Sequence, residues 1–465
     1  METTFEGEED SENWAVQEML TANLGDGRLN RRVGILLRRL AERPEGSIPS
    51  AFQSWGETQA AYRFFSNEKA TAERVLEPHR DATLERAKQF PVVLCVQDTT
   101  ELDYTSKPQV QGLGPLTYEY SLGLYIHPTL AITPERLCLG ALDLWTWVRD
   151  PEDHGGKDRQ HRLKRSLEEK ESFRWVEGYR RVEDLQTTLP QTRLVYIADR
   201  DSDLFELFTA GQTGEASWLI RANQDRKLQD GRHLWEAARE AAVLGTLEFD
   251  LPSTPERPKR HVVQTLRVAR LKLKPPYRRG KKLPAAEVTA ILAREEKPAK
   301  GTEPIEWLLL TNLAVGTAEE AQEKVQWYVC RWQIEVYFRV LKSGCKVEQL
   351  QLQERDRLEV ALALYMIVAW RVLYLMMMGR TVPELSCETT FAREEWRALY
   401  IVMERKKPPR RPPSLGEILV MVARLGGYLA RKGDGPPGPK AIWIGLQRVR
   451  DFVLALEARE NLRYV

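Results

Sequence analysis

An α/β core set between two helical regions is the fold class this sequence predicts. Three observations predict it. Short apolar runs in "FPVVLCVQDTT" and "TRLVYIADRDSD" stop at acids, as buried strands do where they reach a crevice. A stretch from about Gln224 to Glu303 alternates apolar and polar residues, the pattern of a half-exposed antiparallel sheet inserted into the core. The first ninety residues, and those after about Gly379, carry apolar residues at helical spacing.

Each element follows in order. "GDGRLNRRVGILLRRLAER" is a helix with a dense Arg stripe, and Asp26 is its N-cap. "ETQAAYRFFSNEKATAERVLEPHRDATLERAKQF" continues the helical pattern, with a turn at Asn67. "SLGLYIHPTLAI" and "ERLCLGALDLWTWV" flank Thr133–Pro134 and predict a β-hairpin. A charged helix follows over "DRQHRLKRSLEEKESFRWVEGYRRVEDL", then the strand ending at Asp199, a short helix at "FELFTAG" and a strand at "ASWLIRAN". Inside the insertion, "GTLEFDL", "HVVQTLRVARLKL" and "AAEVTAILAREE" are strands and "KPPYRRGKKLP" is a basic turn. "IEWLLLTNL" is a further buried strand, leading to a helix over Tyr328–Lys342. "VALALYMIVAW" is a buried core helix ended by Arg371, too short for a membrane span of about 20 residues. The loops "RKKPPRRPPS" and "RKGDGPPGPK" break up the helical C-terminal region, and "LQRVRDFVLALEARE" is the last helix.

The length of 465 residues suggests about three domains. The net charge of +2 decides little, but its distribution is informative. The first twenty residues are acidic, whereas Glu256–Leu283 and the proline-rich Glu404–Pro413 are basic. Local basic patches in a neutral chain suit selective contact with a polyanion. The five cysteines are odd in number and lack CxxC spacing, which predicts a reducing compartment and argues against disulfide or zinc frameworks. The acidic N-terminus predicts no signal peptide. His127, His154 and His161 are not spaced as a metal site and are expected to be structural or surface residues.

Two strands end in Asp, at Asp98 and Asp199. One such Asp is more often a turn residue than a site, but two make a metal site plausible. The stretch "YVCRWQIEVYFRVLK" adds an acid. At about 100° per residue, Tyr328, Arg331, Glu335 and Lys342 share a stripe roughly 60° wide beside the apolar Ile334, Phe338 and Leu341. The alternative is a solvated face carrying an Arg331/Glu335 pair.

The spacing Tyr-x2-Arg-x3-Glu-x6-Lys, standing as Tyr328, Arg331, Glu335 and Lys342, resembles the signature of bacterial cut-and-paste DDE transposases of the insertion-sequence-four group, most closely the Tn5-like branch. "QDTTELDY" is similar to that branch's first-Asp motif and "ADRDSD" to its second, which favours Asp199 over Asp201 and Asp203. "LGDGRLNRR", "AAYRFFSN" and "ARLGGYLARKGDGPPGPKAIWIGLQ" resemble its terminal domains, so the likeness runs from about Leu24 to Phe452.

The resemblance implies an RNase H-like mixed-sheet core with a β-rich insertion. Asp98 would lie on the first strand, Asp199 at the end of the fourth, and Glu335 on a helix after the fifth. It implies an end-binding helical domain over residues 1–75, a catalytic domain over 76–375 with the insertion at about 224–303, and a helical dimerisation domain over 376–465. Asp98, Asp199 and Glu335 would be the catalytic metal ligands for two Mg²⁺ ions, with Mn²⁺ able to substitute. Tyr328, Arg331 and Lys342 would handle the DNA end, Trp307 would stack on a flipped base, and Arg221 would lie near the site. Arg28, Arg31 and Arg63 would grip the end, with further phosphate contacts from the basic stretch Arg270–Lys282. The expected partners are double-stranded DNA (terminal inverted repeats and target) and a second copy of the chain, with no membrane. The expected location is the bacterial cytoplasm, at the nucleoid. A hydrolytic metal nuclease, a non-catalytic DNA-binding protein and a glycosidase with paired carboxylates are the rivals; the last would not need the basic modules.

Overall fold

The computed structural model describes residues 13–118, 120–151, 170–251, 259–277, 282–299 and 301–461. His154, His161, the start of the charged helix before Lys170 and the tip of the basic turn lie outside these residues.

In chain order the helices α1 (Trp14–Glu18), α2 (Gly27–Glu42), α3 (Ile48–Ala51), α4 (Trp55–Phe65) and α5 (Ala72–Ala87) come first. Strands β1 (Val92–Gln97), β2 (Thr100–Asp103), β3 (Gly114–Pro115), β4 (Leu122–Ile132) and β5 (Cys138–Trp147) follow. Next are α6 (Phe173–Thr188), β6 (Arg193–Ala198), α7 (Phe205–Ala210), β7 (Ser217–Arg221) and α8 (Leu234–Glu240). The insertion supplies β8 (Val243–Leu251), β9 (Arg260–Leu273) and β10 (Ala286–Glu295), and β11 (Glu306–Thr311) follows it. Helices α9 (Ala318–Val329), α10 (Gln333–Arg339), α11 (Arg355–Thr381), α12 (Arg393–Glu404), α13 (Leu415–Leu425) and α14 (Pro439–Asn461) complete the chain.

Two compact units emerge. One comprises Met1–Ala87, Thr99–Lys157 and Gln333–Val465; the other comprises Lys88–Asp98 and Asp158–Trp332. The second unit is a mixed sheet in the order β1-β6-β7-β11-β10-β9-β8. Its β1, β6 and β7 are parallel and buried, as their near-continuous apolar runs require. From β7 onward every pairing is antiparallel. The insertion is therefore sheet, as its alternation predicts, but it differs from the expectation in two respects. Residues 234–240 form a helix, and the antiparallel run continues through β11. β8 is the half-exposed edge, whereas β10 is buried nearly throughout because it is central and covered by α7 and α8.

In the first unit β4 pairs with β2, β3 and β5, and the β4–β5 hairpin turns at Thr133–Pro134 as predicted. Asp26 caps α2 as predicted, its Oδ1 accepting from the Arg28 N–H at 2.8 Å. The core is organised around α11, which packs on α2, α5 and β5. Arg371 does not end this helix. It runs 27 residues and is apolar enough to cross a membrane, yet 89% of its most apolar window is buried inside the protein. A continuous apolar surface is what a helix enclosed by its own chain needs. The last helix also begins earlier than its apolar pattern suggests, at Pro439, where proline suits a helix start. All five cysteines are free and buried.

Candidate active site

The site's foundation is a register. Val96 of β1 lies opposite Ile197 of β6, so Asp98 and Asp199 follow at the same step beyond the carboxyl ends of adjacent parallel strands. Neighbouring strands are about 4.8 Å apart, which is why two acids placed this way share one crevice. β1 is the first strand in chain order; β6 is the fourth when the short β2 and β3 are set aside.

The electrostatics agree. The buried Tyr196 phenol is pushed well above its ordinary range, first by burial and then by the negative charges of Asp199 and Asp98. Burial also raises the Asp199 carboxyl, and Asp201 beside it adds repulsion, against the lowering effect of the Asp201 N–H and of Arg331 and Arg200. Asp199 Oδ1 accepts that N–H at 2.8 Å, capping the turn Arg200–Ser202. Asp98 has a guanidinium partner: Arg331 Nη1 donates to its Oδ2 at 2.7 Å, and Arg331 is itself only 8% exposed. This partner places Arg331 at the carboxylates rather than on a solvated face.

Asp203 is excluded as a ligand by its own bonds. It is 2% exposed and accepts the Asn223 and Gln224 N–H groups at 2.7 Å each, while Arg226 grips Oδ1 through Nε and Nη2. It is a structural clamp between the second-Asp motif and the chain after β7.

The Tyr328–Lys342 stretch is not the single regular helix expected. α9 ends at Val329, Cys330–Trp332 is a 3₁₀ turn, α10 follows, and Val340–Gly344 is a π turn. A wheel at about 100° per residue therefore does not hold across it, because 3₁₀ turns wind tighter and π turns wider. Tyr328 and Arg331 belong with the two aspartates in the second unit, and Glu335 and Lys342 belong to the first. Glu335 is exposed on α10, and Lys342 Nζ stands 3.8 Å from Glu348 Oε1. Among the described residues no group of three or more His, Cys, Asp or Glu side chains is placed to hold a metal ion. The hard-oxygen pair Asp98 and Asp199 does fit one side of a divalent-cation site of the Mg²⁺ kind.

Around the aspartates an aromatic group assembles. Trp307 of β11 is half-buried, with Tyr328 edge-on at 6.2 Å and Trp332 edge-on at 5.9 Å. Tyr328 is buried, which raises its phenol, while Arg331 and Arg221 pull it down and Asp199 pushes it up; Arg221 therefore belongs to this neighbourhood. Trp332, 47% exposed, was not among the predicted site residues. The sequence carries no signal for it, because its exposure follows from the 3₁₀ turn at Cys330–Trp332 and one exposed tryptophan is ordinary.

Elsewhere, Arg28, Arg31 and Arg63 are exposed on α2 and α4, with Arg28 and Arg31 one turn apart. Arg270, on β9, is exposed and pairs with Glu287 at 3.2 Å. His127 is a buried structural residue, its Nδ1 2.8 Å from Thr99 Oγ1.

Three family models match the chain. Residues 11–70 match "Transposase DNA-binding", residues 177–371 match "Transposase DDE domain", and residues 367–464 match "Transposase Tn5 dimerisation domain". Among solved structures the chain is similar to a piggyBac transposase in a synaptic complex with hairpin DNA, at 11% identity over 81% of this chain and 74% of that one. The TM-score is 0.34.

Proposed function

We propose, for a chain that carries the DNA-binding, DDE and dimerisation domains of a Tn5-type transposase, that it binds terminal inverted repeats, pairs two ends as a dimer, cuts both strands and joins the freed 3′ ends to target DNA. The observation that carries this reading is the in-register pair Asp98 and Asp199, with the Arg331 guanidinium held against Asp98. Each step is the same exchange. A hydroxyl oxygen attacks phosphorus in line, the opposite P–O bond breaks, and the leaving oxygen takes a proton. With a freed 3′-hydroxyl as attacker on the opposite strand, the exchange gives a hairpin end.

Asp98, Asp199 and Glu335 would hold two Mg²⁺ ions, with Mn²⁺ able to substitute; when bound, the ions supply Lewis-acid activation of the attacking and leaving oxygens. The remaining work falls to the chain. Arg331 can turn from Asp98 to the scissile phosphate, where a guanidinium offers two donors. Lys342 adds a second positive charge. Trp307, Trp332 and Tyr328 offer aromatic faces and edges on which an unstacked base can be held. Arg28, Arg31 and Arg63 would grip the end.

The test is cleavage of duplex DNA carrying the flanking inverted repeats, with Mg²⁺, read on a denaturing gel. Wild type should give nicks, hairpins and, with added target, joined products. Asp98→Ala should bind the ends normally and cut nothing. Retained cleavage in that variant would sink the site assignment, and cleavage without joining of pre-cut ends would make the protein a hydrolytic nuclease.

A further inference from the structure

A cavity of about 1070 Å³ lies in the first unit, between α1, α11 and the segment from Glu388 to Pro412. None of the acids or aromatic residues discussed above lines it. Besides Arg86, five cations do: Arg371 on α11, Arg393 and Arg397 one turn apart on α12, and Lys407 and Arg410 on the proline-rich loop. Among the described residues none of the five makes an ion pair, in contrast with Arg86 at the cavity floor, which is paired to Glu18. The cavity's other two acids are occupied. Glu388 accepts the Trp396 Nε1–H at 3.1 Å, and Glu395 caps α12 by accepting the Ala392 N–H at 2.9 Å.

Arg371 is the informative member. Its guanidinium lies 4.9 Å from the Trp14 ring and donates to the Thr390 carbonyl. Burial lowers its pKa and outweighs the opposing pull of Glu395, so its charge is held in a site that disfavours it. A half-buried guanidinium with no carboxylate bonded to it is costly unless something anionic completes it. Four exposed cations ring the same opening, so the missing charge is larger than one carboxylate and is spread over a wide mouth. A polyphosphate backbone has that form.

We infer that this cavity is a second DNA site, which grips phosphates without reading sequence and takes DNA other than the transposon end. The inference rests on the transposase reading, and the experiment separates the two. Full-length protein is titrated with a short duplex of arbitrary sequence at several salt concentrations. Replacing both arginines of α12, Arg393→Gln with Arg397→Gln, should weaken binding at low salt by about tenfold or more. It should also reduce the log–log salt slope by about two, at roughly 0.9 for each phosphate no longer neutralised. Cleavage of inverted-repeat ends should persist in the same variant, and joining to target should fall. An unchanged slope would overturn the inference. So would an equal loss from Lys432→Gln with Lys440→Gln, two exposed cations outside the cavity, because the effect would then be general charge. Absence of end cleavage in wild type would count against the transposase reading, not against the cavity.

Discussion

On the proposed reading Arg331 would serve two ligands in turn, Asp98 and the scissile phosphate. Its guanidinium donates to Asp98 Oδ2 at 2.7 Å, so on the proposed reading a cation that takes this oxygen would have to displace it. Arg331→Ala should therefore tighten Mg²⁺ binding, lowering the half-saturating concentration several-fold. It should also slow cleavage by about 10²–10³, the usual loss when a group aimed at transition-state charge is removed. A Mg²⁺ titration of single-turnover cleavage reads both quantities. If the midpoint stays put while the rate falls, Arg331 acts on the phosphate alone and the competition is absent. Arg331→Lys should fall between the two, because an ammonium keeps the charge but not the paired donors.

Elements are held by interactions the sequence does not display, and the helix pair α1–α5 shows this. His79 Nδ1 lies 2.5 Å from Glu18 Oε1, and its Nε2 accepts the Ala141 N–H at 2.9 Å, so the ring is neutral with its proton toward Glu18. Burial alone would raise the Glu18 carboxyl. The His79 hydrogen bond and the two-pronged Arg86 guanidinium hold it instead below its ordinary 4.5. An acid whose folded pKa is depressed stabilises the fold above its unfolded value and loses that contribution as pH falls through the folded one. The loss thus falls below about pH 4.5, as pH drops through the depressed value. Denaturant unfolding across this range should steepen in wild type and flatten in Glu18→Gln, which should also be less stable at neutral pH. A Glu18→Gln curve parallel to wild type would remove Glu18 from the account. The strands ending at Asp98 and Asp199, the β4–β5 hairpin and the Asp26 cap were all legible, because each is set by local pattern and turn chemistry. The Glu18–His79–Arg86 network was not, because its members lie far apart in sequence and nothing local marks Glu18 as buried. The breaks at Cys330 and Val340 were hidden for a related reason. Helical periodicity sees apolar spacing, and a 3₁₀ or π turn changes the winding without changing which residues are apolar.

At the scale of the whole molecule, helices far apart in sequence are tied together within one unit. α2 and α14 are joined by Arg450 to Glu42 at 3.2 Å and Arg43 to Asp451 at 3.8 Å, within one compact unit that draws on the beginning, middle and end of the sequence. The segment that carries Lys342 is pinned to the dimerisation region in the same way. Trp443 of α14 covers Gly344, the last residue of the π turn, so closely that an added Cβ would sit 3.1 Å from its ring, with two more ring atoms within 3.4 Å. Two effects then oppose each other in Gly344→Ala. Alanine in helical backbone ordinarily gains about 1 kcal/mol over glycine. Overpacking a closed site costs about 1–3 kcal/mol. Trp443 is only 5% exposed and is a large, flat ring with little room to swing, so the cost should win and the variant should be less stable by about 1 kcal/mol. The sign should reverse when Trp443→Leu opens the space. In that background Gly344→Ala should stabilise, and the coupling between the two sites should exceed about 1 kcal/mol. Urea unfolding of the two single variants and the double variant measures this directly. Additive effects would mean that α14 rests on the π turn without constraining it.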